Sequence, residues 1–137
     1  MSLRKTYRKA VRDAFDAAPE FAGYAFKRVW VRGVSSSDLP AWTVLTPDED
    51  ISSTAKHLER RTSEVTVILK RAGGEDLDDV LDDDAELIER VMAEALGALD
   101  ILDAQATRIR PEMTGEGGET IGQVAVSFTC TAITARA

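Results

Sequence analysis

The stretch from Thr62 to Lys70 constrains the fold more than any other part of this chain. Val65, Val67 and Leu69 alternate with Thr66, Ile68 and Lys70, and β-branched residues dominate. A period of two predicts a strand. Apolar groups at both sets of positions predict a central strand, covered on both faces. Gly73-Gly74 marks its end.

Two segments carry a helical period instead. From Asp76 to about Leu99, the residues Leu77, Leu81, Ile88, Val91, Met92, Ala95 and Leu99 line one side. Asp76 can cap this helix, with Asp79 three residues later, and the acids of the first turns suit the helix dipole. From residue 3 to 18, Leu3, Tyr7, Ala10, Val11, Ala14 and Phe15 form a second stripe, with Ser2 as N-cap and Pro19 ending the helix.

The remaining strands are shorter signals. Tyr24–Arg32 predicts a strand centred on Val29, Trp30 and Val31, followed by a polar loop, Gly33 to Asp38. Ala41–Thr46 predicts another. Pro47-Asp48-Glu49-Asp50 reads as a turn, and Asp48–Glu59, polar and without a period, as an exposed loop. Leu102–Arg110 predicts a strand ended by Pro111. In the last strand, Ile121–Thr134, Val124, Val126, Phe128, Cys130 and Ala132 face one way. The glycine-rich tip Gly115–Gly118 makes the last two strands an antiparallel hairpin. The expected order is α-β-β-β-α-β-β: a single α+β domain over residues 1–137. Its mixed, mostly antiparallel sheet of about four to five strands packs against two helices.

At 137 residues the chain can bury roughly two-thirds of its unfolded surface. No stretch nears the ~18 apolar residues that cross a bilayer, and the basic start lacks the apolar run of a secretory signal. With Cys130 the only cysteine, no internal disulfide is available and a reducing compartment is expected. The net charge of −7 is unevenly spread. Residues 75–103 hold twelve acids and one base, whereas Arg4, Lys5, Arg8, Lys9 and Arg12 lie in an N-terminus without acids. An acidic face and a basic end suit head-to-tail packing of identical subunits better than sequence-specific nucleic-acid binding.

No constellation announces chemistry. His57 with Ser52, Ser53 and Asp50 lacks a nucleophile elbow. Cys130 sits mid-strand among apolar neighbours, the setting of a small hydrophobe rather than a reactive thiol. Asp79, Asp82, Asp83 and Glu86 share one helix face, and Asp13 and Asp16 lie on the other helix. Such carboxylates could hold Mg²⁺, but they fall opposite the apolar stripe with no phosphate-binding loop nearby. The basic helix lacks the interleaved aromatics of a strand-binding surface. Trp30 and Trp42 read as sheet-packing residues. The chain is expected to be an assembly protein, not an enzyme, without cofactor or metal.

Four segments carry a resemblance: Arg-Lys-Ala-Val-Arg-Asp-Ala-Phe near the start, Asp-Leu-Pro-Ala-Trp-Thr-Val-Leu-Thr-Pro at 38–47, Glu-Val-Thr-Val-Ile-Leu-Lys-Arg-Ala-Gly followed by Asp-Leu-Asp-Asp-Val-Leu-Asp, and Gly-Gln-Val-Ala-Val-Ser-Phe-Thr-Cys. Across nearly its whole length the chain resembles the tail terminator, or tail completion, proteins of long-tailed bacteriophages and prophages, including the minor tail protein U type. The resemblance implies a ring, typically a hexamer, that caps the tail tube and offers a surface to the head–tail connector. It implies residence in the virion tail, and in the bacterial host cytoplasm during assembly. The partners would be the protein itself, the tail-tube protein and the connector, with no membrane. Loops 47–61 and 111–120 match family interface positions in order and length. Their charged residues, Asp48, Asp50, Lys56, Arg60, Arg61, Glu112, Glu116 and Glu119, are the expected interface. Two alternatives stand beside this one: a small adaptor domain of another assembly, and a divalent-metal hydrolase using Asp79, Asp83 and Glu86.

Overall fold

The computed structural model describes residues 2–28, 39–116 and 119–135. Helix α1 spans Leu3–Ala17, strand β1 Ala25–Phe26, β2 Ala41–Leu45, β3 Glu49–Ala55 and β4 Leu58–Gly73. Helix α2 spans Leu77–Gly97, β5 Asp103–Glu116 and β6 Glu119–Ala135. A short 3-10 turn, Pro19–Phe21, follows α1. The fold is α+β, with a mixed, mostly antiparallel sheet and two helices, as the patterning predicts. The described sheet has six strands rather than four to five.

The sheet is built around β4. Strand β6 pairs with it antiparallel along its whole length, from Leu58↔Ala135 to Gly73↔Thr120. The other edge of β4 is shared. Strand β2 pairs with Thr66–Lys70 and β3 with Leu58–Ser63, and the Thr46-Pro47-Asp48 link joins the two. Strand β5 adds outside β6, and β1 adds outside β2 as the one parallel pair among the described strands.

Both helices lie on one face. α1 packs over β2 and β4, and α2 over β5 and β6. The stripe Tyr7, Val11 and Phe15 is buried, and the Phe15 ring stacks between Phe21 and Trp42, with centroids 4.5 Å apart in each pair. Leu77, Leu81, Ile88, Met92 and Leu96 of α2 close over Val65, Val67, Leu69, Val124, Val126 and Phe128. Ser2 caps α1, its hydroxyl accepting from the Lys5 amide at 3.4 Å. Asp76 stands at the N-cap position of α2, but its side chain makes no cap hydrogen bond.

The first turn of α2 sits directly on two glycines. A Cβ at Gly122 would lie 2.7 Å from Leu81 Cδ1 and 3.0 Å from Leu77 Cδ2; one at Gly73 would lie 2.7 Å from Leu77 Cδ1. The sheet thus omits side chains where the helix comes closest. A second tie is ionic. Arg71 of β4 donates from Nη2 to Asp84 Oδ1 of α2 at 2.9 Å and to the Tyr24 hydroxyl. Its Nε lies 2.7 Å from Asp84 Oδ2, an ion contact without an aligned hydrogen bond. Burial pushes the Asp84 carboxyl up from its ordinary value, and Arg71 offsets only part of that.

Three expectations need correction. Residues 48–59 are not an open loop: after Asp48, which stays in the link from β2, they form β3, the Lys56-His57 turn and the start of β4. Residues 50–55 are all exposed, so neither face of β3 is buried and no hydrophobic alternation is required of it. Pro111 does not end β5, which continues to Glu116, because β5 is an edge strand where a missing N–H can be tolerated. β4 is central but covered by helices on one face only; on the other, Glu64, Ile68 and Lys70 are half-buried. The centre of the strand expected at 24–32, with Trp30, and the Gly33–Asp38 loop lie outside the described residues.

Two substitutions test this packing. Gly122→Ala should lower stability by about 1–3 kcal/mol through overpacking against Leu81 and Leu77. Asp84→Ala should cost about 3 kcal/mol by leaving Arg71 uncompensated in a mostly buried site. Urea titration followed by circular dichroism measures both; an unchanged midpoint for either variant would remove the corresponding contact from the account.

Candidate functional site: the helix-free sheet face and its edges

Across the helix-free face the register brings polar residues into rows. Thr62 stands opposite Thr131, Glu64 opposite Thr129, Thr66 opposite Ser127 and Lys70 opposite Gln123. The Thr66 and Ser127 hydroxyls are buried and 2.9 Å apart. A bulge between Ala106 and Arg108 re-aims β5, and the Thr107 hydroxyl there donates to the Ser127 carbonyl at 3.2 Å. After the bulge, Arg108 and Arg110 share the face of Ser127 and Ala125.

A shallow groove of about 350 Å³ crosses this face, with Asp48, Asp50 and Glu64 on one side and Arg108 on the other. A second, of about 220 Å³, runs beside it between Leu45, Pro47, Glu64 and Arg110. Among the described residues no hydrogen bond or ion pair engages the Arg108 or Arg110 guanidinium. Carboxylates facing guanidiniums that are unpaired among the described residues suit recognition of a charged polypeptide surface. They include no activated nucleophile or paired acid and base of the kind that would do chemistry.

Besides the two-residue β1, two long strands stand at edges of the described sheet. Among the described residues, no strand pairs with the outer side of β5 or of β3. Residues 105–113 of β5 are all exposed, with Ile109 at 46% and Met113 at 53%. Ile51 of β3 is 55% exposed. Long unpaired edges carrying apolar side chains are surfaces that another strand can extend.

The helices add charge of opposite sign at opposite sides of the layer. Asp78, Asp79, Asp82, Asp83 and Glu86 are exposed on α2, which lies over the β5 side. Lys5, Lys9 and Arg12 are exposed on α1, over the β2 side. Not all of the basic helix is free. Arg4 holds the Thr46 carbonyl through Nε at 3.1 Å, and Arg8 holds the Thr46 hydroxyl. Lys9 pairs with Asp13 at 2.6 Å, and the Arg12 guanidinium lies 4.2 Å from the Phe26 ring centroid.

The residues expected at the interface fall in two places. Asp48 and Asp50 line the groove; Lys56 is in the β3–β4 turn, and Arg60 is exposed on β4. Arg61 is engaged within the chain, by Glu49 at 2.8 Å and Glu59 at 3.0 Å. Glu112 is exposed on β5, and the backbones of Glu116 and Glu119 are paired in the β5–β6 register. Asp48 is level with Glu64 of β4 and Glu112 is level with Lys70, so the nearest members of the two groups stand roughly 20 Å apart along the strand at 3.3 Å per residue. Lys56 and Glu116 lie farther apart, toward opposite ends of the 16-residue β4, and the eight residues do not form one compact patch.

The other candidates do not converge. His57 sits in the tight turn with φ 70°, and Asp50, Ser52 and Ser53 lie along β3, with no hydrogen bond joining the four among the described residues. Asp79, Asp83 and Glu86 are exposed, and among the described residues no three His, Cys, Asp or Glu side chains group as a metal ion requires. Trp42 is buried in the core. Among the described residues no helix is long and apolar enough to cross a membrane. Asp84, hidden in the acidic run, is a residue that sequence reasoning missed. Its signal is its place three residues after Leu81 and four before Ile88, on the apolar stripe.

Cys130 is fully buried, and burial pushes its thiol up to about 12 from 9.0; burial likewise pushes Tyr7 up to about 12 from 10.0. Both groups are neutral when protonated, and the fold holds their protons more tightly than the unfolded chain does. Their contribution is therefore full below the unfolded values and lost as pH rises through them toward 12. The urea midpoint should fall between about pH 8 and about pH 10.5, and fall less in Cys130→Ala. A midpoint that holds across this range would contradict the burial of both groups.

In comparisons with known proteins, no family model matches this chain and no curated protein is similar to it.

Proposed function

We propose that this chain is a tail terminator: a non-enzymatic subunit of a ring that caps the tail tube of a phage or prophage and joins it to the head–tail connector. The observation that carries this reading is that one subunit presents two unlike and complementary sides. The acidic α2 and the open β5 edge lie on one side, and the basic α1 and the open β3 edge on the other. A cyclic ring of identical subunits requires two different mutually fitting patches, and a subunit so divided is built for heterologous contact. The sheet supplies a further support. Its hairpin ends are about 50 Å apart, so one can meet the tube and the other the connector. The whole-chain resemblance of the sequence supplies the partners.

The test is mass by light scattering across a concentration series at low and high salt, with negative-stain imaging of the largest species. Rings of about six subunits that weaken with salt are expected, because exposed charge pairs are screened. A chain that stays monomeric at every concentration, and on mixing with tail-tube protein, would favour a simple adaptor domain instead.

A further inference from the structure

The ring reading leaves open how subunits join, and the two open edges answer it. We propose that β3 of one copy adds antiparallel to β5 of the next, Ile51 opposite Ile109 and Asp50 opposite Arg110, so that one sheet continues from subunit to subunit. The inference rests on the terminator reading and names the contact within it.

Polarity comes first. β3 runs opposite to β4, β4 to β6, and β6 to β5, so β3 and β5 run in opposite directions within one subunit. Copies related by rotation about an axis along the strands keep their strand directions. The β3 of a neighbour placed beside β5 is then antiparallel to it, with the helix layers on the same side.

Side-chain parity comes next. Ile51 shares the register face of Arg61 and Ala132, the helix side; Ile109 shares that of Val126, also the helix side. Asp50 and Arg110 share the register faces of Thr62 and Ala125, on the open side. Pairing Ile51 with Ile109 therefore satisfies both faces at once. Two exposed isoleucines cover each other, and an acid meets a guanidinium that has no partner among the described residues. Ser52 falls opposite Arg108 in the same register. Sliding the strand two residues one way sets Asp50 against Glu112. Sliding it two the other way sets Ile51 against Thr107, at the bulge. The bulge and Pro111, which lacks an N–H, bracket the segment where a neighbour can add, and so limit the register.

Double-cysteine trapping tests the pairing. Directly opposed antiparallel residues have Cα atoms about 4.5–5.5 Å apart, within the span of a disulfide. In the full chain, Ile51→Cys with Ile109→Cys under mild oxidation should give a ladder of linked species beyond the dimer. Each single variant should stop at the dimer, and the buried Cys130 should not take part. Asp50→Arg or Arg110→Asp alone should weaken association roughly threefold to tenfold, and the two together should restore it. Rings seen by scattering without a ladder would overturn this pairing and leave the ring reading standing. Neither rings nor ladder would overturn both.

Discussion

The antiparallel ladder between β4 and β6 is the contact on which everything else in this molecule rests. It runs for the full sixteen residues of β4. It supplies the apolar floor of Val65, Val67, Leu69, Val124, Val126 and Phe128 on which both helices lie. It also supplies the polar rows of the opposite face, because a period of two sends every alternate residue through the sheet. A one-residue slip would exchange core and surface along both strands at once. The core side and the candidate interface side are therefore specified by the same register.

The helix layer is fastened to that ladder by unlike means. Apolar burial does most of the work for α1, assisted by Arg4 and Arg8 gripping the Thr46 link. For α2, a close seat on two glycines is joined by the Arg71–Asp84 pair. A buried ion pair offers little net stabilisation over apolar packing, but it penalises any arrangement in which only one partner is placed. In this fold it ties the rotation of α2 to β4, and with it the direction in which the exposed carboxylates of α2 face.

The parts of the fold legible in the sequence are those in which one side of an element meets the core. The α1 and α2 stripes, the Thr62–Lys70 alternation and the inward face of Val124–Ala132 all leave a period because burial demands one. β3 left none, because residues 50–55 are exposed on both faces and its one half-buried side chain, Glu49, is held by polar contacts to Arg61 and Ser63 rather than by apolar packing. The extension of β5 past Pro111 was hidden for a related reason: proline reads as a stop unless the strand is known to be an edge. The open face was partly visible, in Asp48 and Asp50. Arg108 and Arg110, across the groove, became meaningful only when β5 was placed beyond β6. Arg61 looked like surface charge in the sequence and is held instead between two glutamates.

The glycine seat beneath α2 also dictates an order of events. Gly73 belongs to β4 and Gly122 to β6, and α2 lies between them in the chain. The seat is incomplete until the last strand has arrived, because only its Gly73 half precedes the helix in the chain. Its completion depends on a contact that closes across some fifty residues, a long-range pairing of the kind that slows folding. During that interval the apolar stripe of α2 has no floor. The exposed carboxylates of the same helix carry one sign of charge, and like charge on such a segment opposes its association with another copy while the platform is incomplete.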